Sequence, residues 1–298
     1  MGLERLSARA RELGASFEEP FPLAPVLSLG IGGEALFRIR PPRWEAVPAL
    51  LEALGDEGVP FRVLSGGSNI LAADGALPFG ILHLRGLGGT IRWSGPEAEA
   101  DADVPLPRLA GESVRRGLAG LEGLGGVPGT VGGAAVMNAG AFGCEVGKVL
   151  SAVRLAEAEG GMAWHPASRF TFRYRSSDLR GRGVVCACRF LLAEDDREAV
   201  ERRYAEAQER RKASQPWREP TLGSVFKNPP GDYAGRILEA LGFKGRRRGR
   251  AGFSERHANF LVNYGGASFA EAFGLAEEAR LAAEAAGFAL EYEMEVWR

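Results

Sequence analysis

Two short glycine turns carry the first chemical signal in this sequence: "SGGSN" at residues 65–69 and "VPGTVGGA" at residues 127–134. Glycine costs backbone entropy on folding, so such density implies positive φ angles or close backbone approach. Successive N–H groups in turns of this kind converge on anions without needing a lysine. From spacing alone, a phosphate cradle and a pair of ligand-free tight turns are equally consistent. The stretch "MNAGAFG" (137–143) adds more glycine nearby and tilts the balance toward an extended, phosphate-bearing cofactor. A second set lies apart from these turns. "GSVFKNP" (223–229) gathers Ser224, Lys227 and Asn228 around Phe226, and strand alternation would place Ser224, Phe226 and Asn228 on one side. "FTFRYRSS" (170–177) alternates like a half-buried strand, and an arginine at its end can grip a carboxylate at two points. "LEYEMEV" puts Glu291, Glu293 and Glu295 on one face of a strand. Beside the functional reading stands a plainer one for each: a turn with a solvated lysine, a half-buried strand, and a solvent-facing row of acids.

The elements that must position these residues are legible in outline. "RWEAVPALLEALG" sets Trp44, Val47, Leu50, Leu51 and Leu54 on one helical face. Strands at "FRVLS" and "GILHL" flank the first glycine turn, so residues 35–85 read as a βαβ-like unit. Strands follow near 90–94 and 98–104, then a helix from Pro107, with proline suited to a first turn. A hairpin is expected around Glu159–Gly161, and "VVCACRF" reads as a buried strand with Cys186 and Cys188 on one face. Composition changes at Glu194, where a long charged helix leads into a second unit. The interleaving has no regular repeat, which indicates an α+β fold with domains at 1–198 and 199–298.

Several function classes are excluded. The formal net charge of −1 over 298 residues gives no broad attraction to nucleic acid or anionic membrane. No apolar run reaches the ~20 residues needed to span a bilayer. "MGLERLSARARELG" has no apolar core of a secretory signal, so a cytoplasmic address is expected. Cys144, Cys186 and Cys188 form no CxxC pair, and His83, His165 and His257 are not spaced as metal ligands. No metal is therefore expected. Gly30, Gly32 and Ala35 fit a dinucleotide fingerprint, but "LFRIRPP" after them has strand period where that motif needs a helix. The run "KGRRRGR" (244–250) reads as a solvated loop.

Taken in order, these motifs resemble the UDP-N-acetylenolpyruvoylglucosamine reductase family. The matching blocks are "GIGGEA", "VLSGGSNILAADG", "GLAGLEGLGGVPGTVGGAAVMNAGAFGCE", "FRYRSSDL", "QPWREPTLGSVFKNPPG", "AGRILEALGFKG" and "FSERHANFLVN". They span almost the whole chain. The resemblance implies an FAD-binding domain of the vanillyl-alcohol-oxidase type plus a C-terminal α+β substrate domain. The short step from "RYRSSDL" to "VVCACRF" is similar to the family's shorter, type II subtype. It further implies non-covalent FAD, with NADPH as co-substrate. Ser65, Gly66, Gly67, Ser68 and Asn69 would hold the pyrophosphate. Pro128, Gly129, Thr130, Gly132, Gly133 and Ala134, with Asn138, Ala141 and Gly143, would run beside the pyrophosphate and flavin.

On the same resemblance, flavin N5 delivers hydride to the substrate's enolpyruvyl group and Ser224 protonates the adjacent carbon. Arg175, assisted by Glu293, would stabilise the charge that builds on the carboxylate. Tyr174, Lys227 and Asn228 would meet the substrate. Glu293 aligns through the preceding "LEY", but Glu291 and Glu295 remain open as its equivalents, because the family's usual "V-R-x-x-G" continuation is absent here. A monomer is expected, acting on small molecules without nucleic-acid or membrane partners. The competing reading keeps the fold and makes the protein an FAD-dependent oxidase.

Overall fold

The computed structural model describes residues 2–159 and 161–298. Two compact units emerge, and neither is a continuous stretch of chain. Among the described residues, the first comprises 2–19, 37–66, 79–159 and 161–209; the second comprises 20–36, 67–78 and 210–298. As packing units they differ from the sequence division 1–198 and 199–298, because two early segments join the second unit. The charged helix Arg197–Ser214 contains the last crossing point.

In the first unit, a mixed sheet runs in the order Ser16–Glu18, Arg38–Arg40, Gly80–His83, Phe61–Leu64, the last three mutually parallel. Helix Val47–Asp56 connects two of them, and Trp44, Val47, Leu50, Leu51 and Leu54 are all buried as the periodicity requires. A five-stranded antiparallel sheet follows, in the order Gly161–Pro166, Leu150–Glu157, Val184–Leu191, Glu97–Asp101, Ile91–Ser94. Val184–Leu191 is central, which is why "VVCAC" is apolar on both faces and buries Cys186 and Cys188, while Arg189 is exposed. The hairpin pairs Glu157 with Gly161; Gly160, within the expected turn, lies outside the described residues.

The second unit is built around the antiparallel sheet Thr221–Ser224, Phe260–Asn263, Ala251–Phe253, Arg247–Arg248 and the helix Phe269–Ala285. Ser268 and Glu271 form a reciprocal capping box at that helix's start. Strand Glu295–Trp297 pairs in parallel with Ile70–Ala72, and Leu29, Ile31 and Leu71 enter the same core as Phe226, Phe253 and Leu275. After Gly30 and Gly32 the chain forms the short strands Glu34–Ala35 and Arg38–Arg40, so the dinucleotide fingerprint opens no helix.

Two expectations fail locally. "FTFRYRSS" is not one strand but a tight hairpin, Phe172–Arg173 against Ser176–Ser177, with Tyr174 and Arg175 at its tip. "LEYEMEV" is strand only at Glu295–Trp297; a bend at Met294 breaks the common face expected of its three glutamates.

Candidate functional site

In the first unit the start of one glycine turn, Ser65 and Gly66, meets the other turn at Gly129 and Thr130. Ser65 Oγ and Thr130 Oγ1 share a hydrogen bond of 2.8 Å across 65 residues of sequence. A Cβ on Gly66 would stand 3.0 Å from Gly129 Cα, so only a bare backbone permits this approach. Thr130 also caps the helix Val131–Met137, its Oγ1 accepting from the Gly133 amide. Spacing alone did not reveal that helix; the signal was a threonine ahead of "VGGAAVM". Gly132 presses on Ala102, where a Cβ would come within 2.8 Å of the alanine methyl, while Ala134 is buried and Pro128 and Gly133 are exposed.

A phosphate-bearing cofactor fits this place. Among the described residues, no protein acceptor takes the amide protons of Gly66 or Gly67, the donor arrangement a nest requires. Gly67, at φ +61 and with a would-be Cβ 2.4 Å from the Val26 carbonyl oxygen, tolerates no side chain. Ser68 is half-buried in the same turn. In the second unit, Asn69 donates its carboxamide to the Glu293 carbonyl at 2.9 Å, and its own carbonyl accepts from the Glu295 amide at 2.8 Å.

"MNAGAFG" turns out to hold a scaffold as well as a surface. Asn138 is fully buried in the left-handed region (φ 46), and its carboxamide is engaged three times. It donates to Glu145 Oε1 at 2.7 Å and to the Arg173 carbonyl at 2.9 Å, and accepts from the Gly147 amide at 2.8 Å. Its side chain therefore fastens neighbouring segments, whereas it was expected among the cofactor contacts. Gly140–Ala141 pairs with Cys144–Glu145 around a two-residue turn in which Phe142 and Gly143 have positive φ and are exposed.

Arg175 occupies the hairpin tip at φ 56, a left-handed backbone that a long L side chain rarely adopts. Ser177 Oγ donates to the Val136 carbonyl at 2.7 Å and Asn138 holds Arg173, so the hairpin is pinned at both ends against the helix Val131–Met137. The Arg175 guanidinium lies 4.7 Å from the Tyr174 ring centroid and passes Gly140, where a Cβ would meet Nη1 at 3.0 Å. Gly140 was not singled out from sequence; its role is to leave room for that guanidinium. Glu122, also unanticipated, is buried and accepts from the Gly120 amide at 2.6 Å and from Arg203 Nε at 2.9 Å. Burial pushes its carboxyl up, but these donors outweigh it and hold the pKa below the ordinary value.

In the second unit, Ser224 ends the strand Thr221–Ser224 and is half-buried. The alternation expected through "GSVFKNP" breaks here: Gly223 has φ +88, the register shifts between Thr221 and Ser224, and Val225 and Phe226 are both buried. The Glu293 amide bonds the Val225 carbonyl at 2.9 Å, which brings Glu293 within one residue of Ser224 along a paired backbone. Glu291 is exposed and ion-paired with Lys227 Nζ at 3.1 Å, and Glu295 accepts from the Trp297 indole at 2.9 Å. Asn228 is exposed and its Oδ1 accepts from the Ala234 amide at 3.1 Å.

Remaining ionisable groups narrow the chemistry. Burial pushes the Cys144 thiol above its ordinary value and Cys186 up to about 12, so neither offers a ready thiolate. His83 is buried, and burial, then Arg38, Arg40 and Arg85, lower its pKa to about 4. "KGRRRGR" is internally committed: Lys244 pairs with Glu239, Arg246 with Glu278, and Arg247 lies over the Tyr264 ring. Among the described residues, no group of three or more His, Cys, Asp or Glu could hold a metal ion. Among the described residues, no helix is long and apolar enough to cross a membrane.

Comparison with known proteins points to the same class of cofactor. Residues 35–166 match the family model of an FAD binding domain. Residues 215–297 match that of the UDP-N-acetylenolpyruvoylglucosamine reductase C-terminal domain. The UDP-N-acetylenolpyruvoylglucosamine reductase of Anaeromyxobacter dehalogenans is 40% identical, over 96% of this chain and 87% of its own length. A second such reductase, from Symbiobacterium thermophilum, is 37% identical over 99% of this chain and 96% of its own. The crystal structure of the Thermus caldophilus enzyme (MurB) superposes with a TM-score of 0.80 at 34% identity, covering 95% of this chain and 99% of that one. Phl p 4, a grass pollen allergen with glucose dehydrogenase activity, shares the fold at a TM-score of 0.51 and 17% identity, over 66% of this chain and 45% of its own.

Proposed function

The chain belongs to the UDP-N-acetylenolpyruvoylglucosamine reductase family, and from that premise we propose how its residues divide the reaction. The protein is an NADPH-dependent oxidoreductase that reduces UDP-N-acetylglucosamine enolpyruvate to UDP-N-acetylmuramate, a step in making peptidoglycan precursors. Bound FAD supplies a two-electron relay between NADPH and the enolpyruvyl double bond.

The chain's own residues bind, orient and move the proton. Amides of residues 65–69 and the bend at 128–134 hold the cofactor, with Ala141 and Gly143 along the same surface. Arg175 grips the substrate carboxylate with a planar, two-point fork and takes up the negative charge that develops there. Glu293 assists as a donor to that charge. Ser224 Oγ gives its proton to the carbon bearing the carboxylate. A serine hydroxyl is a weak acid, but that carbon is far more basic in the transition state, and the match between the two is what counts. Lys227 and Asn228 serve the nucleotide side, and Tyr174 meets the substrate. Residues 1–198 carry the cofactor and 199–298 the substrate, and the enzyme works as a cytoplasmic monomer on small molecules alone.

The observation that carries this reading is the meeting of the two glycine turns around unclaimed amide donors. The test separates the half-reactions. Purified protein is expected to be yellow, to bleach with NADPH and to recover with the enolpyruvyl nucleotide. Ser224→Ala should keep the first step within about twofold and slow the second by roughly 10²-fold or more. A preparation that never takes up FAD, or equal loss in both steps, overturns the assignment.

A further inference from the structure

We propose that Asn259 is the positioning residue for Ser224: its side chain stands in for a missing strand residue and fixes the segment that carries the hydroxyl. The inference rests on the role given to Ser224 above. The ladder between Thr221–Ser224 and Phe260–Asn263 has its last pair at Ser224 and Phe260. Beyond it the Val225 amide still finds the Asn259 carbonyl at 2.9 Å. The next step is made by the side chain alone. Asn259 Oδ1 accepts from the Phe226 amide at 2.9 Å, and Asn259 Nδ2 donates to the Phe226 carbonyl at 2.8 Å. A carboxamide is the one short side chain that presents a donor and an acceptor in the spacing of a peptide group. Asn259 is 2% exposed, so water does not share this work.

The need for such a grip lies just upstream. Gly223, at φ +88 with nothing within 4 Å of a would-be Cβ, is a pivot in open space beside the register shift. Ser224 therefore has a loose joint before it and depends on what holds residues 225–227. One edge is held by main chain, the Glu293 amide on Val225 and the Lys227 amide on the Glu291 carbonyl. The other is held by Asn259. Asn259 is itself fixed, its amide donating to His257 Nδ1 at 3.2 Å, while Gly235 leaves room for that imidazole. Burial, with Lys244 nearby, lowers the His257 pKa below its ordinary value, which keeps Nδ1 available as an acceptor.

The test uses FAD-loaded enzyme and Asn259→Asp. The carboxylate still accepts from Phe226 but meets the Phe226 carbonyl with no proton to donate. At pH 8 reoxidation by the enolpyruvyl nucleotide should fall about 10²-fold, the cost of displacing a reacting group by ~1 Å, with flavin reduction by NADPH within about twofold. Burial raises the carboxyl pKa, so lowering the pH returns a proton and the variant-to-wild-type ratio should rise. Asn259→Ser, small enough to admit water to the Phe226 groups, keeps the fold and should show the same split more mildly. A ratio flat with pH, or equal loss in both half-reactions, overturns the positioning role. Ser224→Ala run in parallel separates the two claims: if it leaves reoxidation intact, the Ser224 assignment fails; if it slows reoxidation while both Asn259 variants do not, only Asn259 is wrong.

Discussion

Replacing Gly66 with alanine tests the cradle at the point where it is tightest. The added methyl would lie 3.0 Å from Gly129 Cα and 3.5 Å from the Thr130 nitrogen, both backbone atoms that cannot rotate away. Carbon atoms settle at about 3.5–4.0 Å, so the two turns must part by roughly 0.5–1 Å. The Ser65–Thr130 hydrogen bond, now 2.8 Å, stretches with them. Overpacking of this kind costs about 1–3 kcal/mol. In apoprotein the turns can relax apart; with FAD bound they cannot. Most of the cost should therefore appear in the FAD dissociation constant, as a weakening of about one to two powers of ten. Titrating apoprotein with FAD and following flavin fluorescence reads that constant, with a thermal melt alongside. Gly181→Ala is the control: φ is +83 with nothing within 4 Å, so it should lower stability by about 1–2 kcal/mol and leave FAD affinity alone. An alanine at 66 that binds FAD as tightly as wild type refutes the idea that these turns grip the cofactor.

Three further outcomes are expected. Arg175→Gly relieves a left-handed backbone and should stabilise the fold slightly, by up to about 1 kcal/mol after glycine's own entropy cost, with a higher melting temperature, while substrate reduction collapses; a lower melting temperature contradicts the strain. Asn138→Ala leaves buried partners unsatisfied and should destabilise the fold by about 2–4 kcal/mol in urea titrations, against no change if its bonds are dispensable. His83 titrates near 4 when folded against 6.5 when free, so the unfolded chain binds more protons between those values. Its contribution, at most about 3 kcal/mol, is complete above pH 6.5 and lost as the pH falls toward 4. His83→Gln should flatten that slope in urea denaturation, and an unchanged slope places the titration elsewhere.

The sequence carried the turns better than the lines between them. "SGGSN" and "VPGTVGGA" were visible because glycine leaves a mark wherever backbone must pass backbone, and the helix 47–56 was visible because its apolar stripe has one period. The hairpin at 172–177 was hidden because its alternation matches that of a single strand, and its tip carries Tyr174 and Arg175 where turn chemistry would call for glycine or asparagine. The partners of the Asn138 and Asn259 side chains were hidden for a different reason. A buried carboxamide is chosen for partners distant in sequence, Arg173 for one and Phe226 for the other, and no local pattern records them. Local spacing likewise gave no hint that residues 20–36 and 67–78 join the second unit.

That patchwork has a price in heredity and in time. Leu29, Ile31 and Leu71 fill the interior that Phe253 and Leu275 share, so a fragment cut at residue 199 would inherit holes where those side chains belong. Such a body cannot be shuffled between genes as a cassette. On the ribosome, its early ribbons must wait through well over a hundred intervening residues before their partners emerge, which favours slow, late consolidation.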